Sequence, residues 1–187
     1  NGAPRRHPVQ GSNLPLGGWG YTTAEGGMRV PGIAWWPGRI KAGTVCAELM
    51  TLMDVLPTFA TLAGGRLPPH PIDGRNIWPL LAGQTGAKNP HEGYGIWYAQ
   101  NELQAVVSGD GHWKLVLSHR YRTLAGRPGG HDGIPAKYEN TDVTTPLLFE
   151  LSKDIGESTD VAAAHPEIVQ HLAETLRRQR AQGFSRD

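Results

Sequence analysis

A single cysteine in 187 residues leaves no partner for an internal disulfide and no ligand set for a cysteine-based zinc cage. Charge of one sign is also missing: 18 Lys and Arg stand against 17 Asp and Glu, a formal net charge of +1. No broad field results, which argues against a dedicated nucleic-acid or membrane-surface binder. The densest basic run, Arg177, Arg178 and Arg180, closes a predicted helix and suits the negative end of its dipole. Apolar stretches fall far short of the ~20 residues that cross a bilayer, and there is no Asn-x-Ser/Thr acceptor. No signal peptide is visible. Because the chain opens at Asn1-Gly2 without Met, it reads as starting inside a longer protein, so the missing leader says nothing about compartment.

What is present is enough for a folded core. Hydrophobic residues make up 39% and charged residues 19%, a globular balance. The 25 Gly and 15 Pro are spread throughout, which suits a loop-rich α/β or α+β enzyme better than a helical bundle. Residues 1–27 read as an extended loop. Met28 to Trp36 is a short apolar run closed by Pro37-Gly38 and reads as a buried strand, with Trp35 and Trp36 in the core. Cys46 reads as a small apolar core residue near a strand end. In residues 51–63, Leu52, Val55, Leu56, Phe59 and Leu62 follow helical spacing, Gly64-Gly65 stops the helix, and Pro57 kinks it or divides it in two. Residues 77–81 fit a single helical turn.

After residue 92 the pattern changes. Residues 95–99, 104–107, 113–117 and 147–151 read as four short strands, with Gly109-Asp110-Gly111 as a turn. Residues 118–145 read as a long loop. From Pro166 a helix runs to residue 182, with Pro at its first position and Gly183 at its stop. Its stripe of Ile168, Val169, Leu172, Thr175 and Leu176 would cover a sheet face. The second half is therefore predicted to be a small α+β unit. In the first half, a strand and a kinked helix cannot bury each other's apolar faces, so those residues read as the end of something larger.

Three blocks in order, EGGMRVPGIAWWPG at 25–38, DVLPTFATLAGG at 54–65 and IDGRNIWPLLAG at 72–83, resemble the sulfatase family. The closing LLFELSKDIGESTDVAAAHPEIVQHLAETL is similar to that family's last strand, acidic turn and terminal helix, so the resemblance covers nearly the whole chain. It implies an α/β, alkaline-phosphatase-like sulfatase fold. Residues 1–90 would be the C-terminal part of the large catalytic domain. Residues 91–187 would be a small α+β subdomain with a four-stranded antiparallel sheet and a terminal helix. It implies a C-terminal portion of an enzyme that hydrolyses aryl or carbohydrate sulfate esters, periplasmic or secreted. The nucleophile would be a formylglycine made from the Cys or Ser of a Cys/Ser-x-Pro-x-Arg motif. A calcium ion would neutralise charge on the transferring group.

Few of those parts lie in this chain. Cys46 is followed by Ala47-Glu48-Leu49, with no Pro two positions on, so the formylglycine belongs to the N-terminal sulfatase portion outside this sequence. Asn1, before Gly2, matches the family's metal-binding Asn of an Asp-Asn-Gly step; taken alone, Asn-Gly is simply a turn. Where relatives place a Lys against the sulfate, this chain has Gly20. Arg5, Arg6 and His7 are candidates for the missing cation, or solvated loop charges.

Glu25 and Arg29, four apart, read as an ion pair bracing the Gly26-Gly27 turn, with direct substrate contact as the other reading. Substrate-binding candidates are Trp19, Tyr21, His112, Trp113, Lys114, His119 and Tyr121, since a sugar ring stacks on exposed aromatics; for Trp113 a place in the strand core is the other reading. His112 and Lys114 alternate with Trp113, so they share the opposite strand face, which fits a solvated sheet as well as a site. The partners implied are a sulfated small molecule or glycan and the rest of the sulfatase, with no nucleic acid and no membrane. Two alternatives stay open. One is a phosphodiester or phosphonate hydrolase of the same superfamily, for which Gly20 leaves room. The other is a non-catalytic module that binds sulfated glycans.

Overall fold

The computed structural model describes residues 13–20, 22–98, 101–125, 127, 134 and 137–181. They fall into two compact units, one holding the residues up to Pro31, Gly93–Ser108 and those from His112 on, the other Gly32–Glu92 with Gly109–Gly111.

The first unit is built on an antiparallel sheet of β1 (Gly93–Tyr98), β2 (Glu102–Ser108), β3 (Trp113–Val116) and β6 (Leu147–Glu150), in the order β1-β2-β3-β6. Register fixes two distinct faces. Val106 pairs with Leu115 and Leu115 with Leu148, so these three line one face; Val107, Lys114 and Phe149 line up on the other. Helix α4 (Pro166–Ala181) covers the first face, where Val106, Leu115, Leu148, Leu172 and Leu176 form the core. Burial of each such side chain contributes about 1.5–3 kcal/mol. Ile168 and Val169 pack at its edge, so the predicted stripe and the four predicted strands are all present.

The segment predicted as a loop over 118–145 contains a hairpin, β4 (His119–Thr123) paired antiparallel with β5 (Glu139–Val143). Its strands, HRYRT and ENTDV, are polar on both faces, so the alternation that marks a half-buried strand is missing. Ahead of the sheet in sequence, residues 25–28 form a single helical turn, α1 (Glu25–Met28), where an extended loop was predicted.

The second unit is organised by Asp54. A 3-10 turn (Leu52–Asp54) leads into helix α2 (Val55–Leu62), which places Pro57 in the first turn, where its missing N–H costs nothing. Asp54 and Thr51 form a capping box, and the fully buried Asp54 carboxylate also accepts the Arg75 N–H at 2.8 Å and lies 2.7 Å from His91 Nε2. Thr58 donates its hydroxyl to Asp54 O and accepts the Ile77 N–H, which precedes helix α3 (Trp78–Leu81). Arg39 lies over both Trp36 and Trp78.

Two expectations for the first half fail. Met28 ends α1 and residues 29–36 join neither sheet, and Ile33 and Trp35 are 95% and 83% exposed. A strand needs a ladder partner and a covering layer, and among the described residues it finds neither. Cys46 is exposed rather than buried. On α2 and its leading turn, Leu52, Leu56 and Phe59 form the helical stripe that the sequence predicted, and all three are exposed while Pro57 and Thr58 face inward.

Candidate functional site

On the sheet face away from α4, the chain around residues 13–28 packs against β3 through one lysine. Lys114 is 0% exposed, because strand alternation turns it inward beside Val107 and Phe149. Its ammonium donates to Thr23 O at 2.5 Å, to Glu25 Oε1 at 3.0 Å and to Glu157 Oε1 at 2.8 Å. All three N–H donors are thereby used. Glu157 Oε2 in turn accepts the Glu25 backbone N–H at 2.6 Å, and Arg29 Nε donates to Glu25 Oε2. Lys114 and the two carboxylates are buried together and Arg29 reaches Glu25 from the exposed side, so the buried charges are paired, the condition for burying charge at all.

The carboxylates respond differently. Burial pushes Glu25 up, but Lys114 and Arg29 outweigh it and hold the group below the usual carboxylate range. Burial pushes Glu157 up as well, and there the attraction of Lys114 does not offset it, so Glu157 lies above that range.

The Gly26-Gly27 step is what lets this turn close. A Cβ on Gly26 would stand 2.6 Å from Gly17 O, and one on Gly27 would stand 2.6 Å from Trp19 O. The ion pair predicted between Glu25 and Arg29 is present and braces this turn.

Beside the loop lies a cavity of about 290 Å³, walled by Trp19, Thr22 and Thr23 on one side and by His119 and Tyr121 of β4 on another. Trp19 is buried and stacks on Tyr138, ring centroids 5.1 Å apart. Gly20 is half-buried. His112 is exposed at the β2–β3 turn, and Trp113 packs at the edge of the core against His165. The expected pairing of His112 with Lys114 as a polar substrate face is corrected: Lys114 is enclosed under the preceding chain and has no donor left for a ligand. Asn1, Arg5, Arg6, His7 and Tyr21 lie outside the described residues. Thr23 and Glu157 escaped sequence reading, since their partner Lys114 is 91 and 43 positions away and no local pattern joins them.

Comparison with known proteins agrees with the architecture. The family described as N-sulphoglucosamine sulphohydrolase, C-terminal, matches residues 21–124. Steryl-sulfatase of Mus musculus is 35% identical over 195 residues, covering 95% of this chain and 30% of that protein. Arylsulfatase A of Homo sapiens is 37% identical, covering 81% of this chain and 30% of its own length. N-acetylgalactosamine-6-sulfatase of Canis lupus familiaris is 34% identical, with coverages of 87% and 32%. A solved Bacteroides thetaiotaomicron structure from work on glycosaminoglycan metabolism superimposes with a TM-score of 0.65 at 28% identity, covering 87% of this chain and 31% of that one. The chain therefore spans about a third of the length of these relatives. It belongs to the sulfatase family and matches that family's C-terminal part.

Proposed function

We propose that this chain is the C-terminal portion of a hydrolase of aryl or carbohydrate sulfate esters, with residues 1–90 completing the catalytic domain and residues 91–187 forming a small C-terminal subdomain. The observation that carries the reading is the Lys114 hub. It fixes Thr23 and Glu25, close in sequence to Gly20, which stands where the resemblance puts a sulfate-contacting lysine. A group that meets a developing charge has to be held rigidly before the reaction, and a buried, fully bonded lysine supplies that rigidity. Lys114 is thus a positioning residue.

The nucleophile in this reading is a formylglycine in the N-terminal portion, and calcium, when bound, would neutralise charge on the sulfate oxygens. Among the described residues no group of three or more His, Cys, Asp or Glu is placed to hold a metal ion. The calcium assignment therefore rests on Asn1 and on residues of the N-terminal portion, and no step is drawn through the ion. Replacing Asn1 by Ala should weaken calcium binding in the full-length protein; an unchanged calcium titration would remove Asn1 from the site.

Gly20 favours one second reading, a phosphodiester or phosphonate hydrolase, because a cation specialised for sulfate is missing there. Turnover of nitrophenyl sulfate against nitrophenyl phosphate, with and without calcium, separates the two. Preference for the sulfate supports the first reading, and preference for the phosphate overturns it. A self-sufficient glycan-binding module is disfavoured by the bare apolar stripe of Leu52, Leu56 and Phe59.

A further inference from the structure

The chain from Gly17 to Gly26 is a loop whose two ends meet. The Gly26 N–H donates to Gly17 O at 2.7 Å, and inside the loop the Thr22 N–H donates to Trp19 O at 3.0 Å. Gly20, which stands where the resemblance puts a sulfate-contacting lysine, lies within it. The turn between β6 and α4 sits at the point of closure. Gly156 is pressed against the first end: a Cβ on Gly17 would run into Gly156 O, and one on Gly156 would stand 3.1 Å from Pro15 O. Glu157 takes the other end, its Oε2 accepting the Glu25 N–H at 2.6 Å while its Oε1 accepts from Lys114 at 2.8 Å. Two successive residues of one turn thus hold the chain before and after Gly20.

Glu157 does this from an unfavourable backbone. Its φ of 56° lies in the left-handed region, where a Cβ crowds the following carbonyl and glycine is favoured. Among the described residues two other non-glycines share that region, Asn101 and Ala125, and both are exposed. The Glu157 side chain is 7% exposed, with both oxygens bonded. Asp154 holds the conformation. Its carbonyl accepts the Glu157 N–H at 3.1 Å, and its carboxylate accepts the N–H groups of Ser158 and Thr159 at 2.7 and 2.8 Å. Glycine at 157 would make the same backbone bonds without strain. A glutamate held there instead points to a use for its carboxylate beyond shaping the turn.

We propose that Glu157 is a positioning residue for sulfate-ester cleavage, clamping the closed ends of the loop that carries Gly20. The inference rests on the sulfatase reading for its reaction. Glu157 touches no reacting atom and acts through the Glu25 N–H. Without it the loop is free to shift, and a displacement of about 1 Å can cost roughly a hundredfold in rate.

The test separates the carboxylate from the backbone it strains. In the full-length protein, Glu157→Ala and Glu157→Gly should both lower kcat for nitrophenyl sulfate about ten- to hundredfold, while KM moves by less than about threefold. Glu157→Gly should nevertheless melt at a higher temperature than Glu157→Ala, because glycine accepts the positive φ. Stability and rate thereby part company, which a purely structural turn would not allow. Asn101→Gly, also at positive φ but in an exposed turn, should leave kcat unchanged. A wild-type kcat in Glu157→Gly, or a loss confined to KM, overturns the proposal. If neither small variant folds, Glu157→Gln is read instead: it retains one acceptor oxygen for two donors, so kcat should still fall at least threefold or so, and an unchanged kcat overturns the proposal. If the wild type cleaves no sulfate ester, the sulfatase reading fails by itself, and the clamp is judged by hydrogen exchange. Amides of residues 17–26 that exchange about tenfold faster in Glu157→Gln support it, and unchanged exchange overturns it.

Discussion

The Lys114 ammonium and the Glu157 carboxylate, 2.8 Å apart and both enclosed, join β3 to the turn after β6 and, through the Glu25 N–H, to the loop of residues 17–25. A charge in that position is tolerable only while every partner is present. Replacing Lys114 by Met would leave two carboxylates facing each other out of water. We expect a loss of about 3–5 kcal/mol, the usual result of breaking a buried pair from one side. Denaturant unfolding of the full-length protein checks it, and a loss under about 1 kcal/mol would show that the hub does not hold the loop.

Glu25 and Glu157 should differ in the pH at which they matter. Glu25 lies below its ordinary value of 4.5 when folded, so its contribution is complete above 4.5 and is lost as pH falls through the lower folded value. Glu157 lies above 4.5 when folded, so its contribution is complete below 4.5 and is lost as pH rises through the higher folded value. At neutral pH, Glu25→Gln should therefore destabilise more than Glu157→Gln, and the gap should narrow on acidification toward pH 4.5. Thermal midpoints of both variants across that range test this. A gap that widens on acidification would reverse the assignment.

Gly27 is predicted to be intolerant of a methyl group. Its Cβ would meet the Trp19 carbonyl at 2.6 Å, and backbone cannot swing away as a side chain can. Gly27→Ala should cost about 1–3 kcal/mol and disturb Trp19, which tryptophan fluorescence would report. An unchanged spectrum and midpoint would mean that the loop yields freely.

Gly20→Lys returns a cation to the position where the resemblance expects one. If that position faces the sulfate, sulfate-ester kcat should rise about tenfold or more, as for other groups aimed at developing charge. No change, or a fall, would show that the site is built around other charges.

How much of this was legible follows from the range of each signal. The four sheet strands and α4 were readable because alternation and 3.6-residue spacing are local. The hairpin β4–β5 was missed because His119, Tyr121 and Thr123 face the cavity side and carry polar groups for it, which removes the apolar half of the pattern. Residues 28–36 looked like a buried strand because Ile33, Trp35 and Trp36 are apolar. Sequence reports that such residues seek cover, and not whether it lies within reach. Lys114 was readable as a polar strand residue, but whether it faces water or a carboxylate depends on Glu25 and Glu157, far away in sequence. Asn1, Arg5, Arg6, His7 and Tyr21 lie outside the described residues, so that part of the candidate site stands as the sequence presents it.

The most direct measurement is nitrophenyl sulfate turnover by the full-length protein beside that of the 187 residues alone. The account predicts turnover by the full-length protein and none by the isolated 187 residues, which should also bind a hydrophobic dye through Trp35, Leu52, Leu56 and Phe59 and melt without cooperativity. Sulfate-ester cleavage by the 187 residues alone, with a sharp cooperative melt, would contradict it.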